Sequence, residues 1–136
     1  MSHEPLIAIV DDDEAFRESM QALLQSTGRR TAGFGSAEQF LASGVAAIAD
    51  CLILDLRMPG IDGLELQRRL REAGVRIPTI VVTAQTDEAV RGKALAAGAL
   101  ACLPKPLEPD FLLQAIDTAI REAGLSNARP RKEEHR

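Results

Sequence analysis

Five short runs of apolar or β-branched residues alternate with amphipathic stretches along the chain. The runs are Leu6 to Val10, a weaker Thr31 to Phe34, Cys51 to Leu54, Thr79 to Val82 and Leu100 to Leu103. A run of four or five apolar residues has no polar face to offer water, so it reads as a strand buried on both sides. Between the runs the periodicity turns helical. Phe16, Met20, Leu23 and Leu24 recur from Asp13 to about Ser26, and Ser36 stands as an N-cap before Phe40 and Leu41. Leu64, Leu66 and Leu70 oppose Gln67, Arg68, Arg69 and Arg71 over residues 64–73. Thr86 or Asp87 caps an alanine-rich helix, and Pro109 suits the first turn of a last helix carrying Phe111, Leu112, Ala115, Ile116, Ala119 and Ile120. Gly28, Gly44, Gly74, Gly98 and Gly124 each follow a helical stretch, where a left-handed residue ends a helix without a Cβ clash. Strand and helix thus alternate five times. Fully apolar strands with right-handed helical crossovers predict an α/β fold, a doubly wound (βα)5 sandwich around a parallel sheet.

The chain has 136 residues, enough for one ordinary domain. A formal net charge of −4 argues against a nucleic-acid-binding surface. No stretch approaches the ~20 apolar residues of a membrane span, and residues 1–5 do not resemble a signal peptide. Cys51 and Cys102 lie inside apolar runs and read as small buried hydrophobes in a reducing compartment. The expectation is a cytoplasmic protein, with a folded unit over residues 1–124 and a charged, disordered tail over 125–136.

Chemistry in open α/β sheets collects at the carboxyl ends of the strands. There the predicted first strand delivers Asp11 and Asp12, the third Asp55, the fourth Thr83 and the fifth Lys105. Three carboxylates at one edge repel, and a hard divalent cation relieves them; Mg2+ takes oxygen ligands and is commonly held by one or two carboxylates plus phosphate. Lys105 adds a positive charge and Thr83 a hydroxyl donor. The set suits a phosphoryl group in transfer, and a carboxylate can accept one covalently. Lys105 is one of three lysines beside thirteen arginines. At a tight phosphoryl site a compact ammonium is not interchangeable with a guanidinium fork. Read singly, each residue has a plainer role: Asp11 and Asp12 as charges favoured near a helix N-terminus, Thr83 as a strand-end cap, Lys105 as a surface lysine, Asp55 as the start of a turn. Asp62 and Asp87 read as turn and cap residues.

The chain resembles the receiver domain of bacterial response regulators, the CheY-like family, over about residues 5 to 123. The likeness rests on Val10-Asp11-Asp12, on Asp55 within Leu54-Asp55-Leu56-Arg57-Met58-Pro59-Gly60, on Thr83-Ala84 and on Lys105-Pro106. It implies a five-stranded parallel sheet of order 2-1-3-4-5 and Asp55 as phosphoacceptor. It implies that Asp12, Asp55 and the main-chain carbonyl of Arg57 bind Mg2+ directly, with Asp11 acting through water. Thr83 and Lys105 would contact phosphoryl oxygens, and Lys105-Pro106 would be cis. The implied donor is a sensor histidine kinase, and autodephosphorylation resets the protein. It would be a phosphoacceptor with self-phosphorylation and autophosphatase chemistry, not a turnover enzyme on an external substrate. Arg57 and Gln85 would flank the phosphoryl group, and a bulky Arg57 would slow water's attack.

The sequence departs from the family pattern where a tyrosine or phenylalanine commonly stands three residues before the lysine; here that position is Cys102. Pro104, which has no N–H for a ladder, fits only an edge strand. Without the aromatic switch, the expected output is a shift of the glycine-containing helix after Thr83, remodelling a surface for a downstream protein partner or a homodimer. Three other readings stay open: a pseudo-receiver binding module, a receiver fragment of a longer transcriptional regulator, and an aspartyl-nucleophile phosphohydrolase. The last usually places a second aspartate two residues after its nucleophile, where this chain has Arg57.

Overall fold

The computed structural model describes the backbone of residues 4–84 and 88–134, and side chains up to residue 121. The elements follow in the order β1 (Leu6–Val10), α1 (Glu14–Ser26), β2 (Arg30–Phe34), α2 (Ala37–Ser43), β3 (Cys51–Leu54), α3 (Gly63–Glu72), β4 (Thr79–Thr83), α4 (Glu88–Ala96), β5 (Ala101–Pro104) and α5 (Pro109–Glu134). A single 3-10 turn, Val45–Ala47, joins α2 to β3. The strands form one sheet of order β2-β1-β3-β4-β5, every pair parallel. β1, β3 and β4 are buried along their whole length, as runs of apolar and β-branched residues allow. β5 is an edge strand, which accommodates Pro104.

Residues of each central strand alternate between the two faces of the sheet. Ile7, Ile9, Cys51, Ile53, Ile80 and Val82 pack with Leu24 of α1 and Leu112 and Ile116 of α5. Ala8, Val10, Leu52 and Leu54 pack with Phe40 of α2 and Leu66 and Leu70 of α3. Cys51 and Cys102 are free and buried, and burial pushes the Cys51 thiol up to about 12, so it stays a neutral hydrophobe. Asp13, Ser36 and Asp62 cap α1, α2 and α3, each side chain accepting from the main-chain N–H three residues on. The cap proposed at Thr86 or Asp87 lies outside the described residues.

Two expectations need correction. The last helix does not end near Gly124; α5 continues to Glu134, through the segment read as a tail. Gly28, Gly44, Gly74 and Gly98 do adopt positive φ behind their helices. A glycine inside a helix costs only ~1 kcal/mol relative to alanine, so it permits a stop without imposing one. Gln67, placed on the polar face of α3, is buried instead. It lies three residues from both Leu64 and Leu70, and that spacing turns it inward with them. No helix among the described residues is long and apolar enough to cross a membrane.

Candidate functional site

Asp11, Asp55 and Lys105 stand at the carboxyl ends of β1, β3 and β5, and the sheet ladder fixes their backbone. Asp11 N–H donates to the Phe34 carbonyl at 3.1 Å, Asp55 N–H to the Val10 carbonyl at 3.1 Å, and Lys105 N–H to the Thr83 carbonyl at 3.1 Å. Asp11, Asp55 and Thr83 are buried, whereas Asp12 is exposed. Asp11, Asp12 and Asp55 each offer a carboxylate oxygen, and these atoms lie within 4.8 Å of one another. The Lys105 ammonium enters from β5, donating to Asp11 Oδ2 at 2.9 Å and standing 3.6 Å from Asp55 Oδ2. The Lys105-Pro106 peptide is cis.

Local hydrogen bonds hold the acids in place. Asp13 N–H donates to Asp11 Oδ1 at 2.9 Å, and Arg57 N–H donates to Asp55 Oδ1 at 3.2 Å. The Arg17 guanidinium of α1 donates to the Asp11 carbonyl at 2.7 Å. Behind the turn after Asp55, Glu38 of α2 accepts from Ile61 N–H at 3.2 Å and so ties that turn to α2.

Electrostatics follow from this packing. Burial, and then the Asp11 carboxylate beside it, push Asp55 above its ordinary value; the Arg57 N–H and the Lys105 ammonium only partly offset them. For Lys105, partial burial disfavours the charged form, but the Asp11 hydrogen bond and the nearby carboxylates outweigh it and hold the ammonium above the usual lysine value. Asp55 is thus a buried carboxylate held beside two others, an arrangement whose repulsion a bound cation would relieve.

Asp11, Asp12, Asp55 and Lys105 come together. Thr83 ends β4, in register with Pro104, its side chain buried. Arg57 is exposed and follows Asp55 by two residues. Three participants escaped the sequence reading. Phe16 sets its ring under the Lys105 ammonium, 4.2 Å from Nζ to centroid. Arg17 grips the Asp11 carbonyl. Gly63 lies against the main chain of Asp55 and Leu56. For Gly63 a signal existed, an Asp-Gly pair where a helix was to begin; for the other two none did.

A sequence model of the response regulator receiver domain matches residues 7–117. The chain belongs to the response regulator receiver family. Among curated relatives, this receiver is 42% identical over 120 residues to the response regulator protein TmoT of Ectopseudomonas mendocina, covering 88% of this chain and 54% of that protein. It is 37% identical over 117 residues to the transcriptional regulatory protein FixJ of Bradyrhizobium diazoefficiens, covering 86% of this chain and 57% of that one. The receiver therefore spans about half the length of the curated relatives it matches. Among solved structures, the response regulator StyR superposes with a TM-score of 0.90 at 34% identity, covering 98% of this chain and 67% of StyR.

Proposed function

We propose that Asp55 is a phosphoacceptor, taking a phosphoryl group from the phosphohistidine of a sensor histidine kinase. The observation that carries this is the position of the Asp55 carboxylate, buried at the end of β3 between two other carboxylates and one ammonium. An Asp55 oxygen attacks phosphorus, a P–O bond forms, the P–N bond to the donor histidine breaks, and that histidine nitrogen keeps the electron pair. Lys105 then turns from Asp55 to the phosphoryl oxygens while its Asp11 hydrogen bond keeps it at the site. Thr83 donates its hydroxyl to the same group.

The donor set fits Mg2+: it is all oxygen, it carries excess negative charge, and two of its carboxylates are already aligned by main-chain N–H groups. Asp12, Asp55 and the Arg57 carbonyl would hold the ion, with Asp11 acting through water. When bound, it supplies neutralising charge for the phosphoryl oxygens.

Hydrolysis of the acyl phosphate resets the receiver, slowly where Arg57 crowds the approach of water. Residues 1–124 form the receiver unit and 125–136 its extension. Output passes through α4, which buries only Ala94 and has open space around Gly92. That surface serves a downstream protein or a second copy of the chain; the loop before α4, residues 85–87, lies outside the described residues. A second reading, the receiver portion of a longer transcriptional regulator, is favoured by the relative named as one, of which this chain spans little more than half.

The test is incubation with acetyl phosphate, with and without Mg2+, read by intact mass. One phosphoryl group per chain, gained only with Mg2+, is expected. An unmodified chain under both conditions would reduce the protein to a binding module.

A further inference from the structure

We propose that Phe16 is the positioning residue for Lys105 and that it acts through the face of its ring. The inference rests on the reading of Asp55 as phosphoacceptor. Lys105 Nζ stands 4.2 Å from the Phe16 centroid, 2.9 Å from Asp11 Oδ2 and 3.6 Å from Asp55 Oδ2. The lysine side chain is 20% exposed. The ring is itself held. Asp13 accepts from Phe16 N–H at 3.2 Å, and Phe16 packs against the same core cluster as Leu103 and Leu107, which flank Lys105 in sequence.

A lysine carries a compact charge on a flexible four-carbon stem. Carboxylates attract that charge, but both lie on the side where the phosphoryl group must come. When Asp55 is phosphorylated, its carboxylate charge gives way to the charge on the phosphoryl oxygens, and that part of the attraction changes partner. An aromatic face attracts an ammonium through its quadrupole, without neutralising it and without accepting a strong hydrogen bond. Phe16 therefore keeps the ammonium at the mouth of the site in both states and leaves its N–H groups for oxygen. A leucine of similar bulk would give packing but no such attraction. A further carboxylate would give attraction but cancel the charge that the phosphoryl group needs.

The experiment replaces Phe16 in the full chain with a series of ring-fluorinated phenylalanines, nearly the same in shape but progressively poorer in charge on the face. Phe16→Trp and Phe16→Leu complete the set. The initial rate of labelling by acetyl phosphate with Mg2+ and the dissociation constant for beryllofluoride with Mg2+ are measured for each. Both are expected to weaken stepwise with fluorination, by about threefold to tenfold over the series, with Phe16→Trp at least equal to wild type and Phe16→Leu at the weak end. A readout independent of phosphoryl chemistry is the upfield shift of the Lys105 ε-methylene protons under the ring, expected in wild type and lost in Phe16→Leu. A flat fluorination series, or no upfield shift, overturns the role of the ring even if Phe16→Leu is impaired, because packing alone would then explain it. A labelled wild type with a flat series overturns this inference only. An unlabelled wild type overturns the phosphoacceptor reading and this inference together.

Discussion

A side-chain carbon built on Gly63 would lie 2.5 Å from the main-chain carbonyl oxygen of Asp55, closer than any real contact of its kind. The same carbon would meet Leu56 Cα at 2.8 Å, and Gly63 N–H donates to the Leu56 carbonyl at 3.0 Å. Both neighbours are backbone and cannot swing aside. The constraint is one of space, since Gly63 is not among the positive-φ glycines. The first turn of α3 is thus laid directly on the chain that presents Asp55. Gly63→Ala should lower unfolding stability by about 1–3 kcal/mol, as overpacking does, and slow phosphoryl labelling. Urea unfolding and acetyl phosphate labelling check this. An unchanged midpoint with an unchanged rate would mean that α3 can move away freely.

The acidic cluster makes stability depend on pH with a definite sign. Asp55 is held above its ordinary value of 3.8, so the native chain binds that proton more tightly than the unfolded chain. Its contribution to stability falls as pH rises from the ordinary value through the raised one, and stays lowered above it. Asp55→Asn removes the buried charge. In chelator-treated protein the variant should therefore melt higher than wild type at neutral pH, with the difference shrinking on acidification below the ordinary carboxylate range. Mg2+ should stabilise the wild type more than the variant. A variant that melts lower than metal-free wild type at neutral pH would show that the Lys105 pairing outweighs burial and the repulsion from Asp11.

Gln67 carries a buried amide oxygen with no hydrogen-bond partner among the described residues. Its Nε2 donates to the Ala94 carbonyl of α4 at 3.2 Å, but that carbonyl also accepts from Ala99 N–H at 3.0 Å. Gln67→Leu removes an unsatisfied acceptor and leaves Ala94 with a donor. The expected gain is about 1 kcal/mol, read from the denaturant midpoint. A loss of similar size would mean that the tether between α3 and α4 stabilises more than the unpaired oxygen costs.

What the sequence disclosed, and what it withheld, follows from the range of each interaction. Asp11, Asp55 and Lys105 were legible because each ends a short apolar run, and parallel strands bring their carboxyl ends together whatever lies between. Leu6–Val10 and Cys51–Leu54 could be little else than buried strands. The Phe16 ring beneath Lys105 joins residues far apart in the chain through a helix rotation that periodicity gives only coarsely. Gln67 turns inward because its spacing from Leu64 and Leu70 outweighs the polarity of its amide. Four glycines end helices and Gly124 does not, and nothing local in the sequence distinguishes the fifth from the others.

The proposed transfer of a phosphoryl group to Asp55 depends on Mg2+. Its most direct test is acetyl phosphate labelling of wild type and Asp55→Asn, each with Mg2+ and with chelator, followed by borohydride trapping and peptide mapping. In wild type with Mg2+ alone, one phosphoryl group per chain is expected by intact mass before trapping, and reduction of Asp55 to homoserine is expected in the mapped peptide after it. Equal labelling of Asp55→Asn, or labelling of wild type that persists in chelator, would contradict it.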